Sequence, residues 1–508
     1  MRPFLLFEKY SEQPTACSIN KDELIKDLNL KYVFNAMAQE DNFIYHTAQA
    51  VLLNSLTDYD TIMYRQAVLK DCINNRELIK NLYSLAVKAN DEAEYYIGFT
   101  KPNYARVMPV SVKVYHGAGL LEVLVEKLEN LRSVVTASEP SVNSQGIKRL
   151  ISQLESNLTE EFFKRVRKHI LDLKSVNDST KIIVSSGLGN GMKGCRHILR
   201  DITTASNSNA TKRIFSKSGN KNTIELDNTS IINNAKEVED AGLINILRLI
   251  NHFNKIMLDF FTELRYECGF FVGCINLYSK LKQIKSEATF PIPSAMHNRD
   301  LIFTKLYDLS LMLKENINPV CNELNAPNAN LFIITGANQG GKSTFLRSIG
   351  IAQLMLQCGM FVPAAYYSSN LCEKLLTHFT REEDAAMNSG KLDEELLRMN
   401  NLINQLTAHS MILMNEPFAT TTEREGSKIA SDIVTALNDN RVTILFVTHL
   451  YEFAELMYKK FSDTAVFLRA ERNSNGTRSY CIKPGKPLQT SYGEDLLKEI
   501  LPISTRNL

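Results

Sequence analysis

Apolar residues recur three and four positions apart from residue 20 to about 115, as in VFNAMAQEDNFIYHTAQAVLLNSL, and that spacing predicts helices. The same period continues through LLEVLVEKLENLRSVV (120–135) and GIKRLISQLESNLTEEFFKRVRKHILDL (146–173). Read as one helix, the second run would extend about 40 Å at a rise of 1.5 Å per residue. A comparable helix is expected over 235–265, in AKEVEDAGLINILRLINHFNKIMLDFFTELR. Between these runs, roughly 174–234, the period fails. STKIIVSSGLGNGMKG has the look of a strand and a Gly-rich turn, and TTASNSNATKRIFSKSGNKNT is polar and basic. An insertion bracketed by two long helices is expected at their far tip.

From about residue 325 the pattern changes to strands alternating with helices, the mark of a parallel sheet covered by helices. NLFIITG, MILMN and TILFVTH are the strands, STFLRSIGIAQLMLQ and EREGSKIASDIVTALN the helices, and TAVFLRAERNSNGTRSYCIK reads as a hairpin closing through Asn475-Gly476. The expectation is a multidomain α and α/β chain. Residues 1–120 form the first part of a helical core, 121–300 long helices with a basic insertion at about 174–234, and 301–508 an α/β domain.

A chain of 508 residues can bury about two to four separate cores. Its 44% hydrophobic and 22% charged content is that of a soluble globular protein. Nine Cys without a CxxC pair or a His at ligand spacing read as thiols of a reducing compartment. MRPFLLFEKYSEQ is too short in its apolar run for a signal peptide or a span, so a cytoplasmic protein with no membrane partner is expected.

The formal net charge of +2 advertises no polyanion partner, but Arg167 to Thr223 holds eleven Lys and Arg against three Asp, a local excess of +8. Within it, Lys212, Arg213, Lys217 and Lys221 are candidate contacts to DNA phosphates. The scarcity of aromatic residues there argues against base stacking and for recognition of shape over sequence. A solvated basic loop is the plainer alternative.

Sharper chemistry sits in GANQGGKST, which fits the phosphate-binding loop GxxxxGK[ST]. The loop comprises Gly336, Ala337, Asn338, Gln339, Gly340, Gly341, Lys342, Ser343 and Thr344. Glycines let backbone N–H groups wrap a phosphate with no side chain in the way. Lys342 brings a cation to the β and γ phosphates of ATP, and the Ser343 hydroxyl is a ligand for Mg²⁺. The helix that follows directs its positive end at the same anion. Farther along, MILMN ends in Asn415-Glu416, where a nucleotide-hydrolysing site places the acidic pair that organises Mg²⁺ and water, and TILFVTH ends in Thr448-His449. Glu416 is the candidate to orient and polarise attacking water, and His449 the candidate to sense the γ-phosphate. Asn415 keeps an acceptor for metal-bound water but lacks the carboxylate charge, a loss of roughly 1–2 kcal/mol in metal binding. A slow but real ATPase is expected.

FIITGANQGGKSTFLRSIGIAQLMLQCGMFVPA closely resembles the ATPase core of the MutS family. ILFVTHLYEF is similar to its switch-His strand, TSYG (490–493) to its closing motif, and SLTDYDTIMYRQAVLKDC (55–72) to the opening of its helical core. The resemblance implies a helical core and lever domain with a small clamp insertion, followed by an ABC-type P-loop ATPase domain. It also implies a homodimer joined through the nucleotide sites and a DNA-binding clamp acting in mismatch repair or recombination. The chain departs from the family in three ways. Its opening at the helical core leads to the expectation that no mismatch-reading domain is present, and its ending to the expectation that no nuclease domain follows. SGKLDEEL (389–396) stands where the family has a Ser-Thr-Phe reaching across the dimer, leaving Ser389 or Lys391 as substitutes. Asn415 is the third departure, followed by PFATTTE. The alternative function is a nucleotide-gated scaffold with little hydrolysis. A transporter ATPase subunit is disfavoured because no LSGGQ-like signature precedes the strand at 411.

Overall fold

The computed structural model describes residues 1–9, 20–98, 108–138, 141–177, 181–190, 194–203, 228–380, 390–472 and 478–489. The chain forms two compact units, Met1–Leu5 with Asn74–Cys268, and Leu6–Ile73 with Gly269–Leu508. It is a mixed α/β multidomain protein. No helix among the described residues is long and apolar enough to cross a membrane.

Helices come first: α1 (Lys21–Asp27), α2 (Leu30–Ala38), α3 (Asn42–Leu52), α4 (Tyr59–Asn74) and α5 (Arg76–Gly98). The run expected from residue 120 is α6 (Val110–Ser138), which begins ten residues earlier. The single rod expected over 146–173 is instead two helices, α7 (Gln145–Asn157) and α8 (Glu160–Lys174). The reason is a start signal inside the periodic run. Thr159 takes an extended conformation and its hydroxyl accepts the Phe162 N–H, while Glu160 and Glu161 supply the acidic first turn that favours a new N-terminus. Leu158 before it is buried.

After α8 comes an antiparallel hairpin, β1 (Lys181–Leu188) with β2 (Gly194–Thr203). The first strand was expected; the second, GCRHILRDIT, was not. The helix expected over 235–265 runs much farther, as α9 (Asn228–Gln283), 56 residues or about 84 Å. Val114 of α6, Val176 and α9 residues Leu243 and Ile250 form a buried cluster in the first unit.

The second unit contains two sheets. Strands β3 (Ile292–Ser294), β4 (Leu301–Leu306), β5 (Asn322–Ala326) and β7 (Tyr366–Asn370) form one, in the order β3-β7-β4-β5, with α10 (Leu309–Glu315) between β4 and β5. The other has the order β12-β11-β6-β10-β9-β8 and comprises β6 (Leu331–Gly336), β8 (Leu375–Phe379), β9 (Met411–Asn415), β10 (Thr443–Val447), β11 (Val466–Arg472) and β12 (Arg478–Pro484). Strands β8, β9, β10, β6 and β11 run parallel; β12 returns antiparallel as the expected hairpin partner. Residues 475 and 476, expected at its turn, lie outside the described residues.

Four helices complete the alternation: α11 (Lys342–Gln357), α12 (Lys391–Ile403), α13 (Glu423–Asp439) and α14 (Tyr451–Phe461). Strands β8, β9 and β10 are buried almost throughout in a sheet covered on both faces; β9 and β10 are nearly continuous apolar runs, while β8 buries Thr377 and His378 among its apolar residues. Helix α11 is buried along most of its length, and its polar residues are spent internally. Gln357 donates to the carbonyls of Leu56 and Cys372, both at 2.8 Å.

Arg65 of α4 is 1% exposed. Its guanidinium donates to the carbonyls of Leu6 and Cys358, each at 3.2 Å, and lies 4.9 Å from the Phe7 ring centre. Replacing it removes a buried donor from both carbonyls and empties a packed volume. Arg65→Ala should cost roughly 3 kcal/mol and lower the thermal midpoint by several degrees. A midpoint within about one degree of the wild type would contradict this placement.

Candidate nucleotide-binding site

The site is built where β6 ends. Gly336 has φ +117°, and a Cβ there would lie 2.9 Å from the Ala470 nitrogen; Gly341 has φ +88° and caps α11. Those backbone conformations favour glycine, and at Gly340 a Cβ would meet the Ala337 carbonyl oxygen at 2.8 Å. Ala337 is buried and packs the loop down, while Asn338 and Gln339 face outward.

Lys342 opens α11 and its side chain is only 4% exposed. An ammonium so buried must be met by oxygen. Nζ donates to the carbonyls of Gly336 at 3.0 Å and Ala337 at 3.1 Å and lies 3.8 Å from Glu416 Oε1. Burial pulls its pKa below the ordinary lysine value, with the Glu416 charge opposing the shift. The loop carbonyls stand where phosphate oxygens would give the same cation stronger, charge-assisted partners.

Parallel register brings the other strand ends alongside. Val447 of β10 is paired with Ile334 of β6 on one side and Asn415 of β9 on the other. Ser343 Oγ donates to Asn415 Oδ1 at 2.7 Å. The two candidate metal-site residues therefore meet directly, and both offer the hard oxygen that Mg²⁺ selects. Glu416 follows with φ +54°, its N–H donating to the Val447 carbonyl at 2.9 Å. Its Oε2 lies 3.9 Å from His449 Nδ1. The P-loop lysine, the acidic strand end and the strand-end histidine thus share one place, with Glu416 between two potential cations.

Cavities open on both sides of the loop. One, of about 620 Å³, is lined by Gly336, Asn338, Gln339, Glu416, Glu423 and His449 among others. The other, of about 480 Å³, takes in Gly340 to Thr344 and Glu416, and its wall includes Ile317, Pro319, Val320 and Tyr480. The four wall residues carried no motif that could have singled them out.

A second group was also missed. Glu395 of α12 is 7% exposed; its Oε1 accepts the Phe418 N–H at 2.8 Å and faces His378 Nε2 of β8 at 3.4 Å, while Oε2 lies 3.4 Å from Thr420 Oγ1. Burial alone would raise the Glu395 pKa, but hydrogen bonds from His378 and the Phe418 N–H outweigh it and hold the carboxyl below its usual value. Phe418 itself has φ +61°. Left-handed backbone at a non-glycine residue costs on the order of 1 kcal/mol and persists where its surroundings hold it.

Other candidates fall elsewhere. Lys212, Arg213, Lys217 and Lys221 lie outside the described residues, as do Ser389 and the TSYG stretch. Lys391 is the first residue of α12.

Comparison with known proteins adds independent information. Residues 57–284 match the MutS2 N-terminal domain, and residues 332–499 match MutS domain V. The DNA mismatch repair protein MutS of Clostridium botulinum (strain Alaska E43 / Type E3) is 30% identical over 178 residues, 32% of this chain and 19% of that protein. That of Alkaliphilus metalliredigens (strain QYMF) is 26% identical over 247 residues, 45% of this chain and 26% of that protein. That of Clostridium novyi (strain NT) is 27% identical over 279 residues, 49% of this chain and 30% of that protein. The matched region spans between 19% and 30% of these relatives' own length.

The geometry around Lys342 yields a direct test. Lys342→Ala should weaken ATP binding at least about a hundredfold, since the loop loses its one full charge and its charge-assisted contacts. Equilibrium titration with a fluorescent ATP analogue measures it. Affinity within about threefold of the wild type would remove the loop from nucleotide binding.

Proposed function

The chain belongs to the MutS family, and from that premise we propose that it is an ATP-dependent DNA-binding protein, a homodimeric clamp that hydrolyses ATP slowly and acts on DNA structure in mismatch repair or recombination. The observation that carries this reading is the convergence of Lys342, Ser343, Asn415, Glu416 and His449 at three adjacent strand ends.

In this reading the N–H groups of Gly336 to Thr344 and the Lys342 ammonium hold the triphosphate. Ser343 and Asn415 present oxygens to Mg²⁺, which when bound neutralises phosphate charge and orients the γ-phosphoryl group. Glu416, held between Lys342 and His449, would take the attacking water and draw its proton as the oxygen closes on the γ-phosphorus, while the bond to the β–γ bridging oxygen breaks and that oxygen leaves with ADP. His449, 38% exposed at the cavity wall, is placed to bond the γ-phosphate or that water. The cavity walled by Ile317, Pro319, Val320 and Tyr480 suits a nucleobase: apolar faces to pack on, beside the loop that holds the phosphates.

Asn415 makes the reaction slow rather than absent. Its amide oxygen accepts from Ser343 and still has a lone pair for metal-bound water, but it brings no charge. The missing carboxylate charge at Asn415 also favours a second reading, a nucleotide-gated scaffold with little hydrolysis.

Two measurements separate these readings. Glu416→Ala should leave ATP affinity within about threefold while lowering turnover by at least about a hundredfold. Asn415→Asp should raise turnover or tighten the dependence on Mg²⁺. Normal turnover in the Glu416 variant would assign water activation elsewhere, and a silent Asn415→Asp would mean that the site is organised around the amide.

The DNA half of the proposal rests on the excess of +8 between Arg167 and Thr223. Each Lys or Arg that displaces a counterion contributes close to 0.9 unit to the salt slope of duplex binding. Replacing Lys212, Arg213, Lys217 and Lys221 together with Ala should weaken binding and flatten that slope by up to about 3.6 units, leaving basal ATPase unchanged. Unaltered affinity and slope would take these four residues out of the interface.

A further inference from the structure

Glu416 is useful only if its carboxylate stays where water attacks, yet it sits in a backbone that most residues avoid. Glu416 at φ +54° and Phe418 at φ +61° flank Pro417, so the turn does not hold itself. Its anchors can be counted by origin. The Glu416 N–H is held by the Val447 carbonyl of β10 at 2.9 Å. The Thr380 hydroxyl, just past β8, donates to the carbonyls of Asn415 at 3.0 Å and Glu416 at 2.6 Å. The Phe418 N–H is held by a side chain, Glu395 Oε1 of α12, at 2.8 Å.

The carboxylate is in turn oriented. His378 Nε2 lies 3.4 Å from the same oxygen, the His378 and Phe418 rings are tilted at 31° with centroids 6.5 Å apart, and His378 is fully buried with Nδ1 unpartnered. The pair lies outside the loop and does not touch the place proposed for nucleotide. A buried polar pair in an apolar layer needs a reason to be there, since a hydrophobic pair of equal volume is often as stable. The partner it serves is the Glu416–Phe418 turn.

We infer that Glu395, seated by His378, is a positioning residue: it clamps the Phe418 N–H and so fixes the direction in which Glu416 presents its carboxylate to the γ-phosphate. The inference rests on the reading of Glu416 as the water-activating group. Loss of the clamp frees Phe418 N–H, relaxes the turn and moves the Glu416 carboxylate, while Lys342 keeps its bonds to the Gly336 and Ala337 carbonyls.

Turnover and nucleotide binding measured together test this. Glu395→Ala should lower kcat at least about tenfold while KM for ATP and bound-nucleotide stoichiometry stay within about threefold. Glu395→Gln, whose amide oxygen still accepts the Phe418 N–H, should recover kcat to within about threefold of the wild type. Glu395→Asp keeps the charge but shortens the reach, and it should fall with Ala; it also serves if the Ala variant does not fold. A Glu395→Ala or Glu395→Asp protein with wild-type kcat overturns the inference alone. Parallel loss of kcat and stoichiometry in all three variants does the same, assigning the pair to stability. A wild-type protein that binds ATP without turning it over overturns the hydrolysis reading and the inference with it.

Discussion

A lysine ammonium taken out of water must be surrounded by oxygen, and the C-terminal edge of the parallel sheet is arranged around that demand. Lys342 is held at the mouth of α11 because three glycines let the loop fold back until its carbonyls reach Nζ. The cation draws Glu416 to 3.8 Å, and Glu416 in turn lies 3.9 Å from His449. An anion that enters the loop offers Lys342 better partners than two neutral carbonyls. Binding a triphosphate therefore replaces contacts already present instead of ordering a loop from nothing.

The sheet supplies the convergence. Strands β6, β10 and β9 are adjacent and parallel, so Gly336, Thr448 and Asn415 emerge side by side although the chain between them is long. The register of β10 sets Val447 against both Ile334 and Asn415, and a slip of one residue would carry it away from both. The Ser343–Asn415 bond depends on that register, and so does the Glu416 N–H bond to Val447. The polar pair His378–Glu395 adds a side-chain brace to a turn whose other anchors are on strand ends.

Much of this was legible in the sequence, for identifiable reasons. GANQGGKST is readable because its backbone geometry restricts residue type, and NLFIITG, MILMN and TILFVTH because strands buried on both faces must be apolar at every position. The four-stranded sheet was not legible. Its β5, NELNA, alternates exposed and buried positions with polar residues and carries little apolar signal. The break at Thr159 was hidden differently: apolar spacing runs straight through it, and only the Thr-Glu-Glu start signal marks a new helix. Glu395 and His378 are seventeen residues apart, on a helix and a strand, and nothing local distinguishes them from surface groups. The four basic residues proposed to meet DNA were read from charge alone and remain on that footing.

Glu416, beside Lys342, is proposed to make this chain a working hydrolase despite Asn415. Single-turnover hydrolysis of γ-labelled ATP by excess wild-type protein, followed as a function of Mg²⁺ concentration, addresses it most directly. Phosphate release well above the uncatalysed rate, saturating with Mg²⁺ and abolished by chelation, is the expected result. Stoichiometric ATP binding with no phosphate release at any Mg²⁺ concentration would contradict it.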